Sequence, residues 1–301
     1  LIIGASGLIV QVGLLRELLV SFYGNELTLG IILANWILFE ALGAISAGKI
    51  LDRVKNTRHV FCYLQLLFCI SLPASLYLAG SIKTLLGISP GEGIGLVIVF
   101  FASALTFLIP AFCHGASFSA CCTIFPGRNK IGKTYYWETI GTLIGGLAFT
   151  YLFLPHYNSF QTFFIVILLN LLACFCFFRE INSFLKYTLI GTLLLSAICV
   201  STKSIEKIHA FSLQKQWPGE KILAYKNSVY GNIVLIKKQA QQTLFYNGLP
   251  LIIMPYPDVS FIETFVDLPL LMHQNPRNIL IINSGIGGII NETLSYDPQR
   301  I

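Results

Sequence analysis

Charge is scarce in this chain. Only 11% of its 301 residues are Asp, Glu, Lys or Arg, against about 25% in an ordinary soluble domain. Apolar residues make up 55% and the mean hydropathy is +0.72. One soluble core cannot hide that much apolar surface. The same shortage excludes intrinsic disorder, which needs low hydrophobicity and high net charge. Cysteine is limited to 8 residues, all before residue 203 and all in or beside apolar runs. That excludes a disulfide scaffold. Neither Cys121-Cys122 nor Cys174-x-Cys176 has zinc-ligand spacing with partners, so no metal site is expected. A multi-span membrane protein remains.

The few charges are unevenly spread. Residues 1–202 carry 18 of them, and residues 203–301 carry 16 in half the length. The second stretch also shortens its rhythm to runs such as Asn232-Ile233-Val234-Leu235-Ile236. Two regions follow: a membrane region over 1–202, and a soluble region after it. The chain begins at Leu1, already inside an apolar run, and reads as a piece of a longer one.

A membrane-crossing helix needs about 20 apolar residues. Six runs qualify: Leu1–Phe22, Leu27–Ile50, His59–Ile82, Ile94–Ile124, Thr134–Leu154 and Phe160–Phe178. The fourth, with Pro110 and His114 near its middle, is expected to be one over-long or kinked helix. A seventh run between Lys186 and Lys203 reaches only about 24 Å, short of a hydrocarbon core of about 30 Å. Basic residues gather in alternate loops: Lys49, Arg53, Lys55 and Arg58; Arg128, Lys130 and Lys133; Arg179 and Lys186. These loops, and the N-terminus with them, are expected on the cytoplasmic side. Gly141-x-x-x-Gly145 and Gly43-x-x-x-Ala47 put small residues on one helix face, where neighbouring backbones can approach. Arg16, Glu17 and Glu40 sit in or near apolar runs, where a charge is costly and normally paired. They read either as a substrate or proton path, or as an ion pair tying the first two helices, or as snorkelling chains. Asn35, Asn170 and His114 read as interhelical hydrogen bonds.

From Ile222 onward the pattern is β. Ile222–Tyr225, Asn232–Lys237 and Thr243–Tyr246 read as strands, and Asn247-Gly248 as a turn. Ser260–Met272 suits a helix interrupted at Pro269. Asn278–Asn283 reads as a buried strand running into the glycine turn Ser284-Gly285-Ile286-Gly287-Gly288, with a helix to about Tyr296. Strand, glycine turn, helix is the opening unit of a doubly wound nucleotide-binding fold. The turn allows close backbone approach to a ligand, or serves packing alone.

Two resemblances add to this reading. Gly48 through Arg58, with Asp52-Arg53 inside it, resembles the loop between the second and third helices of major facilitator transporters. Residues 222–301 resemble the polyamine aminopropyltransferase (spermidine synthase) family. The matching residues, in order, are Ser228, Tyr230 and Ile233; Leu244-Phe245-x-Asn247-Gly248; Pro257-Asp258 and Glu263; Leu268-Pro269-Leu270; His273-x-Asn275-Pro276; and the glycine turn with Glu292 after it. Arg16-Glu17, Tyr23-Gly24-Asn25-Glu26 and Gly141–Gly146 resemble bacterial proteins that fuse a facilitator-like membrane region to such a domain. The resemblance implies 6–7 membrane helices, then a small β-rich domain over 203–272, then the start of a Rossmann-like methyltransferase-type domain over 273–301. It implies a bacterial inner-membrane protein with the soluble part cytoplasmic, on the argument that its ligand is made there. Seven crossings from a cytoplasmic start would instead place that part outside.

The family's chemistry is aminopropyl transfer from decarboxylated S-adenosylmethionine to a polyamine. Gly285, Gly287, Gly288 and Glu263 are the residues the resemblance carries to the ligand site; none is assigned a catalytic role. Expected partners are the lipid bilayer, an S-adenosyl ligand and a polyamine, with no nucleic acid. Four positions depart from the family's polar pattern: Gly231, Leu251, Phe261-Ile262 and Ile286. The departures open two other readings: a ligand-binding or regulatory module, or a facilitator-like transporter working as a homodimer.

Overall fold

The computed structural model describes residues 1–88, 92–255, 257–282 and 287–301. The chain divides into two compact units, one over Leu1–Pro218 with Asn227–Tyr230, the other over Gly219–Lys226 and Gly231–Ile301.

The first unit is all helical. It comprises α1 (Ile2–Phe22), α2 (Glu26–Leu51), α3 (Thr57–Leu85), α4 (Leu96–Ile124) and α5 (Lys130–Ala148). A π-helical turn over Phe149–Phe153 carries α5 into the short α6 (Leu154–His156). Then follow α7 (Ser159–Cys174), α8 (Ser183–Ser201) and α9 (Ser204–Gln216). Asparagine side chains cap four of these helices: those of Asn25, Asn56, Asn158 and Asn182 each accept a hydrogen bond from a first-turn N–H. Such caps satisfy donors that an apolar helix leaves open at its start.

Seven helices, counting Lys130–His156 as one, are long and apolar enough to cross a membrane. The six expected runs are among them, and α4 runs unbroken through Pro110. The seventh differs from expectation. The Asn182 cap starts α8 ahead of Lys186, so its 19 residues reach about 28 Å, close to a full crossing. The lysine that bounded the run is part of the helix. No helix was expected at 204–216, where α9 packs against α3, α7 and α8.

Close backbone approach shapes the bundle. A Cβ on Gly43 of α2 would fall on the Phe112 carbonyl of α4, and one on Gly115 of α4 would fall on the Glu40 carbonyl of α2. A Cβ on Gly145 would meet the Ala5 Cα at 2.6 Å, so α5 presses on α1 in the same way. Both small-residue motifs thus lie at helix contacts. Among apolar helices in lipid, such close packing drives association more than removal from water does.

The second unit opens with a four-stranded sheet in the order β1 (Lys221–Asn227), β2 (Asn232–Lys238), β3 (Gln241–Tyr246), β4 (Leu249–Met254). β2–β3 and β3–β4 pair antiparallel, with Val234 opposite Phe245 and Leu244 opposite Ile252. Val234, Ile236 and Phe245 are buried, the alternation of a half-buried sheet. Asn247 and Gly248 both have positive φ, at 48° and 82°, as a two-residue type I′ hairpin requires. β4 is a fourth strand beyond the three expected, with Pro250 inside it. Pro250 sits opposite Phe245, where the register shifts. The shift accommodates a residue that cannot donate to the ladder.

Beyond the sheet lie α10 (Val259–Leu271) and α11 (Ile289–Leu294), whose contact buries Ile262, Val266 and Ile289. The Tyr296 hydroxyl donates to Asp267 at 2.9 Å. The segment expected as a buried strand differs from expectation. Asn278 pairs in parallel with Arg300 as an isolated bridge, and Leu280 and Ile282 are exposed. A parallel ladder needs a second strand alongside, and among the described residues Arg300 alone plays that part. Residues 283–286, which include Gly285 and Ile286, lie outside the described residues.

Candidate functional site

The second unit holds a cleft of about 300 Å³. β4 gives one wall, from Pro250 to Ile253; Pro257 and Asp258 form the entry to α10; Phe261 and Ile262 come from its first turn; Gly287 and Ile289 close the far side. Each wall follows from local sequence. The I′ turn returns β4 across β3. Asp258 caps α10, accepting from the Phe261 N–H at 3.1 Å, and so fixes the direction in which Phe261 and Ile262 leave the helix.

Gly287 and Gly288 have φ of 87° and 97°, a conformation that side chains disfavour. A Cβ on Gly288 would stand 3.0 Å from Ile262 Cδ1. Gly288 thus lets the chain pass against Ile262 of α10, and Gly287, beside Ile252 of β4, lines the cleft. Glu263 lies on the same helix one residue beyond the wall, exposed. Leu251, Phe261 and Ile262, three of the positions that depart from the synthase pattern, come together on the cleft. Its walls are apolar, and among the lining residues Asp258 supplies the one ionisable side chain. A carboxylate facing apolar walls favours a cationic ligand with an apolar body. Asp258 was read only as part of a motif; its place ahead of the apolar run Val259–Ile262 is a helix-cap signal.

Inside the helical unit the charged residues have other partners than the ion pair considered above. Glu40 Oε1 meets His114 Nδ1 of α4 at 2.8 Å, and Trp36 Nε1 donates to Glu40 Oε2 at 2.9 Å. Glu17 accepts from the Ser159 hydroxyl of α7, and Arg16 donates to the Ser228 carbonyl at 2.7 Å. Asn35, Asn170 and His114 do make interhelical hydrogen bonds: Asn35 donates to Ser103 of α4 at 2.8 Å, and Ser6 of α1 donates to Asn170 at 3.2 Å.

The chain is similar to proteins named polyamine aminopropyltransferase. It is 23% identical over 177 residues to one from Oceanobacillus iheyensis, covering 58% of this chain and 34% of that protein. It is 26% identical over 172 residues to polyamine aminopropyltransferase 2 of Aquifex aeolicus, covering 56% of this chain and 34% of that protein. A polyamine aminopropyltransferase of Buchnera aphidicola is 28% identical over 83 residues, which is 28% of this chain and 25% of that protein. The first two matches are too long for the second unit to contain and extend into the helical one. The chain spans about a third of the length of the first two relatives. No family model and no solved structure matches it.

Proposed function

We propose that this chain belongs to a membrane-integral, spermidine-synthase-like protein whose second unit binds an S-adenosyl compound in the cleft at Asp258 and Gly287, with Gly288 next to it. One observation carries the reading: Pro257, Asp258 and Gly287, residues matched to the synthase pattern and up to thirty positions apart in sequence, line one cleft. The similarity to polyamine aminopropyltransferases runs in the same direction. In this reading the long apolar helices lie in the inner membrane of a bacterium. The segment from Asn278 to Arg300 is read as the opening of a Rossmann-like domain, and Gly285 is carried to the ligand by the family resemblance alone.

The reaction class is aminopropyl transfer. A deprotonated amine attacks the methylene carbon beside the sulfonium of decarboxylated S-adenosylmethionine. The C–S bond breaks, the thioether leaves, and the new C–N bond forms as the amine sheds its proton. Such a step depends chiefly on holding two cationic reactants in line. Asp258 supplies negative charge, and the apolar walls exclude water. Leu251, Phe261 and Ile262 offer no acceptor to an ammonium group, so binding of the S-adenosyl compound outlasts efficient use of putrescine.

The test is calorimetric titration of purified full-length protein with decarboxylated S-adenosylmethionine, alongside an assay for spermidine from putrescine. Binding with little or no spermidine is the expected result. Absence of binding would overturn the ligand assignment, and rapid spermidine formation would overturn the statement about the apolar walls.

A further inference from the structure

The buried polar side chains of α4 fall on one face. At about 100° per residue, Ser103, Thr106, Pro110, His114 and Ser117 lie within roughly a quarter-turn of arc, and all five are buried. Each polar group except Thr106 meets a polar side chain of a neighbouring helix. Asn35 of α2 donates to Ser103 at 2.8 Å, Glu40 of α2 pairs with His114 at 2.8 Å, and Gln65 of α3 donates to Ser117 at 3.0 Å. Thr106 adds a carbonyl, because Pro110 has no N–H to donate back to the residue four positions earlier. From Ser103 to Ser117 the line runs about 21 Å along the helix.

Two of these groups are incompletely satisfied. The side-chain oxygens of Asn35 and Gln65, residues only 1% and 3% exposed, have no hydrogen-bond donor among the described residues. A buried amide oxygen without a donor loses its hydration and gets nothing in return. Here one stands at each end of the line, with the protonatable pair Glu40–His114 between them.

We propose that α2, α3 and α4 enclose a proton-conducting track, with Glu40 and His114 as its proton-holding site. The two amide oxygens accept from water or hydronium at either end. His114 passes an N–H proton to Glu40 across their 2.8 Å contact. Each transfer breaks one N–H or O–H bond and makes another. A proton enters for each one that leaves, the pair returns to its starting charge, and no electron moves.

Of the titratable groups on α1, α3 and α5, four have partners of their own. Arg16 and Glu17 of α1 bond Ser228 and Ser159, Cys69 of α3 donates to the Ile167 carbonyl, and Glu138 of α5 accepts from Thr142. On α1, His114 Nε2 faces the Ile3 carbonyl at 3.3 Å. The track rests on the reading that these helices cross a bilayer.

The experiment uses full-length protein in phosphatidylethanolamine–phosphatidylglycerol vesicles with an entrapped pH-sensitive dye. A valinomycin-set potassium potential, negative inside, drives protons inward. Wild type is expected to acidify the lumen at least tenfold faster than empty vesicles. Glu40→Gln and His114→Asn should return the rate to that of empty vesicles, while Glu17→Gln keeps the wild-type rate. Glu40→Gln retains the acceptor for Trp36, and circular dichroism checks its fold. A wild-type rate equal to empty vesicles, or an unchanged rate in Glu40→Gln, overturns the proposal. Flotation of the vesicles after alkaline wash reads insertion separately: protein that floats without flux refutes the track alone, and protein that fails to float refutes the membrane reading as well.

Discussion

Asp258 caps α10 and lines the cleft with the same carboxylate, and one substitution separates the two roles. Asparagine caps helices about as well as aspartate but carries no charge. Asp258→Asn should leave thermal stability within about 0.5 kcal/mol. It should weaken binding of decarboxylated S-adenosylmethionine about tenfold, while the neutral thioether product binds as before; calorimetry with both ligands checks this. Equal losses for the two would show that charge is not what the residue contributes. Gly288→Ala probes the opposite wall. A Cβ at φ 97° and 3.0 Å from Ile262 Cδ1 should cost about 1–3 kcal/mol and narrow the cleft, read as a lowered melting temperature and weaker binding. The positive φ of Gly287 and Gly288 agrees with a glycine run ahead of a helix, which the sequence displays. The convergence of Leu251, Phe261 and Ile262 on one cleft was not legible there. It depends on a hairpin return and a capped helix meeting, which no single run of residues displays.

At the level of elements, α10 and α11 are joined by a small apolar contact and by the Tyr296–Asp267 hydrogen bond. Desolvation raises the Tyr296 phenol above its ordinary value, and the bond to Asp267 adds to the shift. The folded state thus holds this proton more tightly than the unfolded chain does. The stabilisation is present below about pH 10 and is lost as pH rises through the folded-state value. Alkaline unfolding followed by circular dichroism should show this arm in wild type and lack it in Tyr296→Phe. Elements marked by period and length, such as α1–α4, α7 and the β2–β3 pair, could be read from sequence directly. α8 was underestimated because Lys186 looked like a boundary, whereas a long side chain in a first helical turn can reach an interface. A proline inside the run weakens the strand signal of β4. The partner of Glu40 was hidden because it lies 74 residues away, and no local pattern signals a contact across that distance.

For the molecule as a whole, the basic loops and the length of α8 make topology a sharp question. Six crossings from a cytoplasmic start leave the second unit inside, and seven put it outside. The ligand assignment requires it inside, where S-adenosyl compounds are made. A reporter fused after Lys203 that is active only in the cytoplasm is therefore expected. One active only outside the cytoplasm would remove decarboxylated S-adenosylmethionine as the ligand while leaving the helical unit's role untouched.

The glycine contacts between α2 and α4 bear on the proposed proton transfer in that helical unit. Gly43 lies against the Phe112 carbonyl and Gly115 against the Glu40 carbonyl, so the two backbones touch on either side of the Glu40–His114 pair. Two rods in main-chain contact behave as one beam: they tilt together or not at all. The proposed transfer between Glu40 and His114 needs only their 2.8 Å contact, which this seam holds in place. The missing side chains at Gly43 and Gly115 are what let the two helices close on each other.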